Sequence, residues 1–255
     1  MYAIVSDIHA NLEALQAVLE DIRRRGLSER IVCLGDLVGY GPNPAECVAE
    51  CMRFKTCLMG NHDEATVSEA LGFNPLAKAA IDWTRSMLKP SLLSRREKKG
   101  QWQFISSLPA TAELEGWLLV HGSPRDPTME YILRSDTESF VDEMPPKIKD
   151  IFSRFRTLCF VGHTHEPGII TAKSEFLAPA DFGGKYDVTD KGKMVINVGS
   201  VGQPRDRDNR ACYVTFDGRV IEYHRVPYDF NVTARKISAI SALDVRIGER
   251  LADGR

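Results

Sequence analysis

Five of the six histidines in this 255-residue chain stand just after short apolar runs, most of them close to an oxygen donor or a second imidazole. After "YAIVS" come Asp7 and His9, after "IVCLG" comes Asp36, and after "KTCLMG" come Asn61, His62 and Asp63. "WLLV" leads to His121, and "TLCFVG" leads to His163 and His165; His224 alone lies inside a run. One such histidine is an ordinary loop residue, but recurrence of histidine or aspartate at five run ends calls for a common cause, and a metal site supplies it. The donors are imidazole nitrogens with carboxylate or amide oxygens and no thiolate, a set that suits manganese, zinc or iron and not a structural zinc finger. Asp7, His9, Asp36, Asn61, His121, His163 and His165 are too many for one tetrahedral ion. They suit two divalent ions sharing a carboxylate, the arrangement that clamps a phosphoryl group. In an extended chain residues two apart face the same way, so His163 and His165 are expected to aim at one spot, each serving one of the two ions.

These residues need elements to position them, and the surrounding pattern provides them. Apolar runs alternate with amphipathic stretches at 12–25 and 44–52, which is βαβαβ grammar. Such α/β proteins build their sites in the loops at one strand-end edge of a sheet. Ser94 with Glu97 reads as a capping box opening a helix to about Ser106, one of several helices in a predicted insertion at about 64–108. Strands are expected at 117–120, 157–161, 168–172, 194–198, 211–216 and 220–225, with Asp217-Gly218 as a hairpin turn and a helical tail from about Phe230. Without a repeat or a long linker, residues 1–255 read as a single α/β domain.

Composition narrows the partners. Hydrophobic content of 43 % allows a sizeable core, while a formal charge of −2 offers no basic excess for nucleic acid or anionic membrane. The first residues carry no basic region before their short apolar run and no stretch is long enough to span a bilayer, so a cytoplasmic protein is expected. The six cysteines then stay reduced; Cys47, Cys51 and Cys57 lack C-x-x-C spacing and read as small buried hydrophobes.

Taken in order, Asp7-x-His9, Gly35-Asp36, the string "GNHD" at 60–63, His121-Gly122 and Gly162-His163-x-His165 resemble the calcineurin-like metallophosphoesterase superfamily. Within it, "SDIHANLEAL", "GDLVGYGPNP", "HGSPRDP" and "NVGSVGQPRD" are similar to the bacterial and archaeal YfcE-like and diadenosine tetraphosphatase-like phosphoesterases, a likeness reaching about Phe216. The resemblance implies a four-layer αββα sandwich of two mixed sheets. It implies one ion held by Asp7, His9, Asp36 and His165 and another by Asp36, Asn61, His121 and His163, with a bridging hydroxide attacking phosphorus in line. His62 would then act near the leaving oxygen as general acid or electrostatic stabiliser, oriented by Asp63. An imidazole tuned by a carboxylate is independently suited to carry a proton near neutral pH. Tyr40, Arg125, Ser200 and Arg205 follow the motif segments closely enough to be candidates for substrate contact.

The expected function is metal-dependent hydrolysis of a phosphodiester or nucleotide-type phosphate ester, with selectivity set by segments 64–108 and 126–149. Ser/Thr protein phosphatases carry G-D-x-V-D-R-G and G-N-H-E, whereas this chain has "GDLVGYG" and "GNHD" and so lacks that arginine. A nuclease would want a basic groove that the composition does not offer. A non-catalytic scaffold of the same fold is the remaining alternative, against which the full ligand set and His62 both speak.

Overall fold

The computed structural model describes residues 1–139 and 143–255. Two six-stranded sheets lie face to face. The first has the order β3-β2-β1-β11-β12-β9, built from β1 (Tyr2–Val5), β2 (Ile31–Cys33), β3 (Thr56–Cys57), β9 (Lys185–Asp187), β11 (Ala211–Phe216) and β12 (Val220–Val226). The second has the order β4-β5-β6-β10-β7-β8, from β4 (Thr111–Leu114), β5 (Trp117–Val120), β6 (Leu158–Val161), β7 (Gly168–Thr171), β8 (Phe176–Leu177) and β10 (Met194–Asn197). In each sheet three neighbouring strands run parallel, β1, β2 and β3 in one and β5, β6 and β10 in the other, with antiparallel strands beside them.

The strands read as continuous apolar runs because both faces are covered. Along β1, Ala3 and Val5 face the helices while Ile4 faces the other sheet; along β6, Leu158 and Phe160 face inward while Cys159 and Val161 face outward. Between the sheets Trp117 packs 4.7 Å from Phe216, and Phe160 lies 5.5 Å from the same ring. The outer face of the first sheet is covered by α1 (Leu12–Arg24), α2 (Pro44–Cys51) and α5 (Arg96–Ser106), and that of the second by α6 (Pro146–Ser153), giving four layers. A separate cluster joins α4 (Pro75–Leu88) to the tail helices α7 (Phe230–Ser238) and α8 (Val245–Glu249). All six cysteines are buried as free thiols, as their spacing suggests.

Three local expectations change. The helix predicted from Ser94 begins at Arg96 with Arg95 at its cap, because the Ser94 hydroxyl instead accepts from the Ser91 amide at 2.8 Å. The helical segment after β3 opens at Asn61 rather than at about 64, as α3 (Asn61–Val67). Strands β4 and β9 carry no apolar run, and β8 is only the pair Phe176–Leu177; β4 is "TAEL", with its alternate residues exposed at a sheet edge. Among the described residues no helix is long and apolar enough to cross a membrane.

Candidate metal centre

The loops at the carboxyl ends of β1, β2, β3, β5 and β6 all open on one edge of the sandwich, and they bring the predicted ligands together. Asp7, His9, Asp36, His163 and His165 have φ between 49° and 65°. This left-handed region is unfavourable for residues with a Cβ, though Asp and His tolerate it better than most, and such strain gathers at functional sites. The expectation of an extended His163-Thr164-His165 segment is therefore corrected. Both histidines sit in left-handed turns and their rings diverge. The His165 Nε2 lies 3.1 Å from the Asp7 Oδ1 and 3.0 Å from the His9 Nε2, while the His163 Nδ1 lies 3.1 Å from the His121 Nε2. The turn is held by Asn197, whose amide donates to the Gly162 carbonyl at 2.7 Å and to the Thr164 hydroxyl at 2.8 Å.

Three groups of donors result: Asp7, His9 and His165; His9, Asp36 and His62; and Asp36, His121 and His163. Asp36 joins the sub-sites through one atom. Its Oδ2 lies 3.6 Å from the His9 Nε2 and 3.4 Å from the His121 Nε2, while its Oδ1 accepts from the His62 amide at 2.8 Å. The Asn61 Oδ1 joins the third group, 3.1 Å from the His121 Nε2.

The chemistry of these atoms fits cations. His9 presents Nδ1 to the Val38 carbonyl at 3.2 Å, and His165 presents Nδ1 to the Gln203 carbonyl at 2.5 Å. A carbonyl only accepts, so both Nδ1 atoms carry the proton and both Nε2 atoms expose lone pairs to each other. The Met129 carbonyl, 3.1 Å from the His163 Nε2, likewise leaves the Nδ1 lone pair facing inward. Asp7 and Asp36 are buried, with no lysine or arginine partner among the described residues, and the Asp7 Oδ1 has no hydrogen-bond donor. Facing lone pairs and uncompensated buried carboxylates are unfavourable unless positive charge lies between them. Without it, burial pushes His9 and His165 down, and His163 down to about 3. Burial also opposes protonation of His121, yet Asp36 beside it lifts His121 to about 9.

His62 lies at the margin of the ligand set, grouped with His9 and Asp36. Its ring packs among His9, Tyr40 and Phe73 with centroids 4.9, 4.5 and 5.1 Å away, and its Nδ1 has no partner. Burial, which outweighs the pull of Asp36, lowers it to about 4. The expectation that Asp63 orients this ring is corrected. The Asp63 carboxylate accepts from the backbone amides of Leu37, Val38 and Gly60 at 3.0 to 3.2 Å, tying the Asp36 loop to the start of α3. Burial and the nearby Asp36 charge raise Asp63 to about 7.

The four substrate-contact candidates separate. Tyr40 is buried against His9 and His62. The Ser200 hydroxyl donates to the Asp7 carbonyl and accepts from the Gln203 amide, both at 2.9 Å, so it braces the first loop from within. Arg125 is engaged by Glu130 at 3.4 Å and Asp150 at 3.5 Å, not by any metal-site residue. Arg205 donates to the Gln203 side chain at 2.9 Å and has no carboxylate partner among the described residues. Sequence reasoning missed Phe73 and Tyr131. Tyr131 stacks on His163 with centroids 3.7 Å apart, and with Tyr40 and Phe73 it lines the site with aromatic rings. No motif marks either residue, since each meets the site through tertiary folding alone.

Two packed mixed sheets with a histidine- and aspartate-rich centre at their shared strand-end edge define a metallophosphoesterase architecture. The chain belongs to the calcineurin-like phosphoesterase superfamily, whose domain profile matches residues 1–219. It is 40 % identical over 266 aligned positions to an uncharacterised protein of Methanocaldococcus jannaschii, covering 100 % of this chain and 98 % of that one. The crystal structure of a metallophosphoesterase from Sphaerobacter thermophilus superposes with a TM-score of 0.82 at 37 % identity, covering 100 % of this chain and 98 % of that one. A hypothetical protein from Pyrococcus horikoshii shares the fold at a TM-score of 0.72 and 18 % identity, over 100 % and 98 % of the two chains.

Proposed function

We propose that this protein hydrolyses a small phosphodiester or nucleotide-type phosphate ester with the aid of two divalent cations, manganese, zinc or iron. The observation that carries this reading is the Asp36 Oδ2, poised between the His9 and His121 nitrogens of two otherwise separate donor groups. Asp7, His9 and His165 would hold one cation and Asn61, His121 and His163 the other, with Asp36 common to both. When bound, such a pair neutralises phosphoryl charge and lowers the pKa of a water nucleophile.

The remaining tasks fall to the chain itself. The Val38, Gln203 and Met129 carbonyls fix the tautomers of His9, His165 and His163, so the ligand lone pairs are set before anything binds. His62 has a buried Nδ1 without a partner, which suits it to steady or protonate the leaving oxygen. The aromatic lining of Tyr40, Phe73 and Tyr131 favours a small substrate over a phosphorylated protein surface. The nuclease alternative gains no support from a chain whose formal charge is −2.

The test is hydrolysis of bis-p-nitrophenyl phosphate and p-nitrophenyl phosphate by metal-stripped protein, with and without manganese, beside the Asp36→Ala variant. Manganese-dependent cleavage that the variant lacks is expected. Metal-loaded protein that cleaves neither reporter nor any nucleotide ester would leave a binding scaffold as the better reading.

A further inference from the structure

Leu92 and Leu93, in the link between α4 and α5, are 95 % and 96 % exposed. A single exposed leucine needs no explanation, but two neighbours with nearly all their surface in water make an unpartnered apolar tip. The backbone holds them outward. The Ser94 amide donates to the Ser91 carbonyl at 3.1 Å, which places both leucines at the centre of a β-turn. The Ser91 amide donates to the Ser94 hydroxyl at 2.8 Å, and the Lys99 Nζ donates to the Leu92 carbonyl at 2.9 Å, so the turn is braced from two directions. Ser94 thereby serves the turn and leaves α5 without a side-chain cap.

Cations surround this tip. Lys89 precedes it and Arg95, Arg96, Lys98 and Lys99 follow, with Glu97 the one carboxylate between 89 and 99. Lys89, Arg95, Arg96 and Lys99 are exposed, and none of the five cations pairs with a carboxylate among the described residues. Positive charge is unfavourable in the first turn of a helix, so the stability of α5 does not account for Arg95, Arg96 and Lys98. The formal charge of −2 over the whole chain conceals this local excess.

Shape and charge together select an occupant. Side chains this exposed stand on a convex tip, which a folded partner could receive only in a matching cavity, whereas a lipid interface yields around it. Leucine gains nothing from the phosphates of a nucleic acid but is favourable among acyl chains. Lysine and arginine stems lie along an apolar surface while their heads reach lipid phosphates. We propose that the Ser91–Ser94 turn and its basic collar dock this protein on an anionic lipid surface, with Leu92 and Leu93 entering the boundary between headgroups and acyl chains. Two leucines are far short of a membrane span, so the attachment is peripheral, reversible and sensitive to salt. It does not depend on which ester the metal centre cleaves.

Co-sedimentation of the intact protein with vesicles of phosphatidylcholine alone, and of phosphatidylcholine with an equal part of phosphatidylglycerol, reads the partition directly. Binding to the mixed vesicles about tenfold or more tighter is expected at about 0.1 M salt, with most of that preference lost near 1 M. Replacing both leucines, Leu92→Ser with Leu93→Ser, should weaken partition to the mixed vesicles by roughly tenfold or more, and Arg95→Gln with Arg96→Gln by about tenfold. All four side chains face solvent, so melting temperatures should match the parent; if a double variant does not fold, its single substitutions decide. No partition to either vesicle, equal partition to both, or parental binding by the folded leucine variant overturns the proposal. Self-association without lipid that the leucine variant loses, read by sedimentation velocity, would overturn it in favour of a second copy of this chain.

Discussion

A single oxygen, the Asp36 Oδ2, is shared by two donor sets, and its removal should have consequences that the loss of a peripheral group does not. Asp36→Ala is expected to abolish retention of metal after dialysis along with hydrolysis, as measured by elemental analysis beside a turnover assay. His62→Ala should keep its metal and lose turnover by roughly 10²–10⁴-fold, the usual span for a proton-transfer residue. Full activity in that variant would remove the role given to His62. The ligand positions were legible because histidine and aspartate recur at run ends. The partners that tune them were not. Val38, Gln203 and Met129 act through backbone carbonyls, which any residue type supplies. Asp63 was misassigned because adjacency in "GNHD" hides that its carboxylate turns away from His62 to three backbone amides.

Short turns decide whether these side chains meet, and glycine matters where backbone and site crowd together. Gly162 leads into the turn where the His163 amide donates to the Asp7 Oδ2 at 3.0 Å, and a Cβ at 162 would collide with the Ser6 hydroxyl and that carboxylate. Gly39 has φ of 92°, and a Cβ there would run into the His62 ring. Gly39→Ala should therefore displace His62 without touching a metal donor. Turnover is expected to fall at least tenfold with metal content unchanged, and stability to fall by about 1–3 kcal/mol for a strained backbone. Urea unfolding beside elemental analysis checks both. At this scale the sequence misled where a local signal met a competing bond. The Ser94-Glu97 spacing looks like a cap, but a turn bond to the Ser91 amide claims the serine. The edge strands β4, β8 and β9 were missed because residues with one solvent-facing side need no apolar run.

Across the whole molecule, the α/β class followed from alternating runs and helices, whereas the division into two facing sheets came from family resemblance. Periodicity cannot report which strands share a sheet, and β1 pairs with β11 across some two hundred residues of chain. The neighbouring β11–β12 hairpin carries His224, the one histidine outside the metal centre, which is buried. Its Nε2 meets the Thr215 hydroxyl at 2.8 Å, its ring lies 4.7 Å from Tyr213, and the charges nearest it are Arg25, Asp21, Glu222 and Lys185. Burial first and Arg25 second push it down to about 4, with Glu222 and Asp21 opposing. A histidine is near 6.5 in the unfolded chain, so between these values the unfolded state binds the extra proton. Its stabilising contribution is therefore complete above pH 6.5, declines as the pH falls, and is gone below about pH 4. His224→Gln removes the proton site and should flatten stability between pH 6.5 and 4 relative to the parent. After allowance for solvent screening the difference is on the order of 1–2 kcal/mol, or about 2–8 °C in melting temperature. Metal-centre histidines titrate alike in both proteins, so the difference between the two melting profiles isolates His224. Parallel profiles across that window would mean that the β11–β12 pair accommodates a charged imidazole.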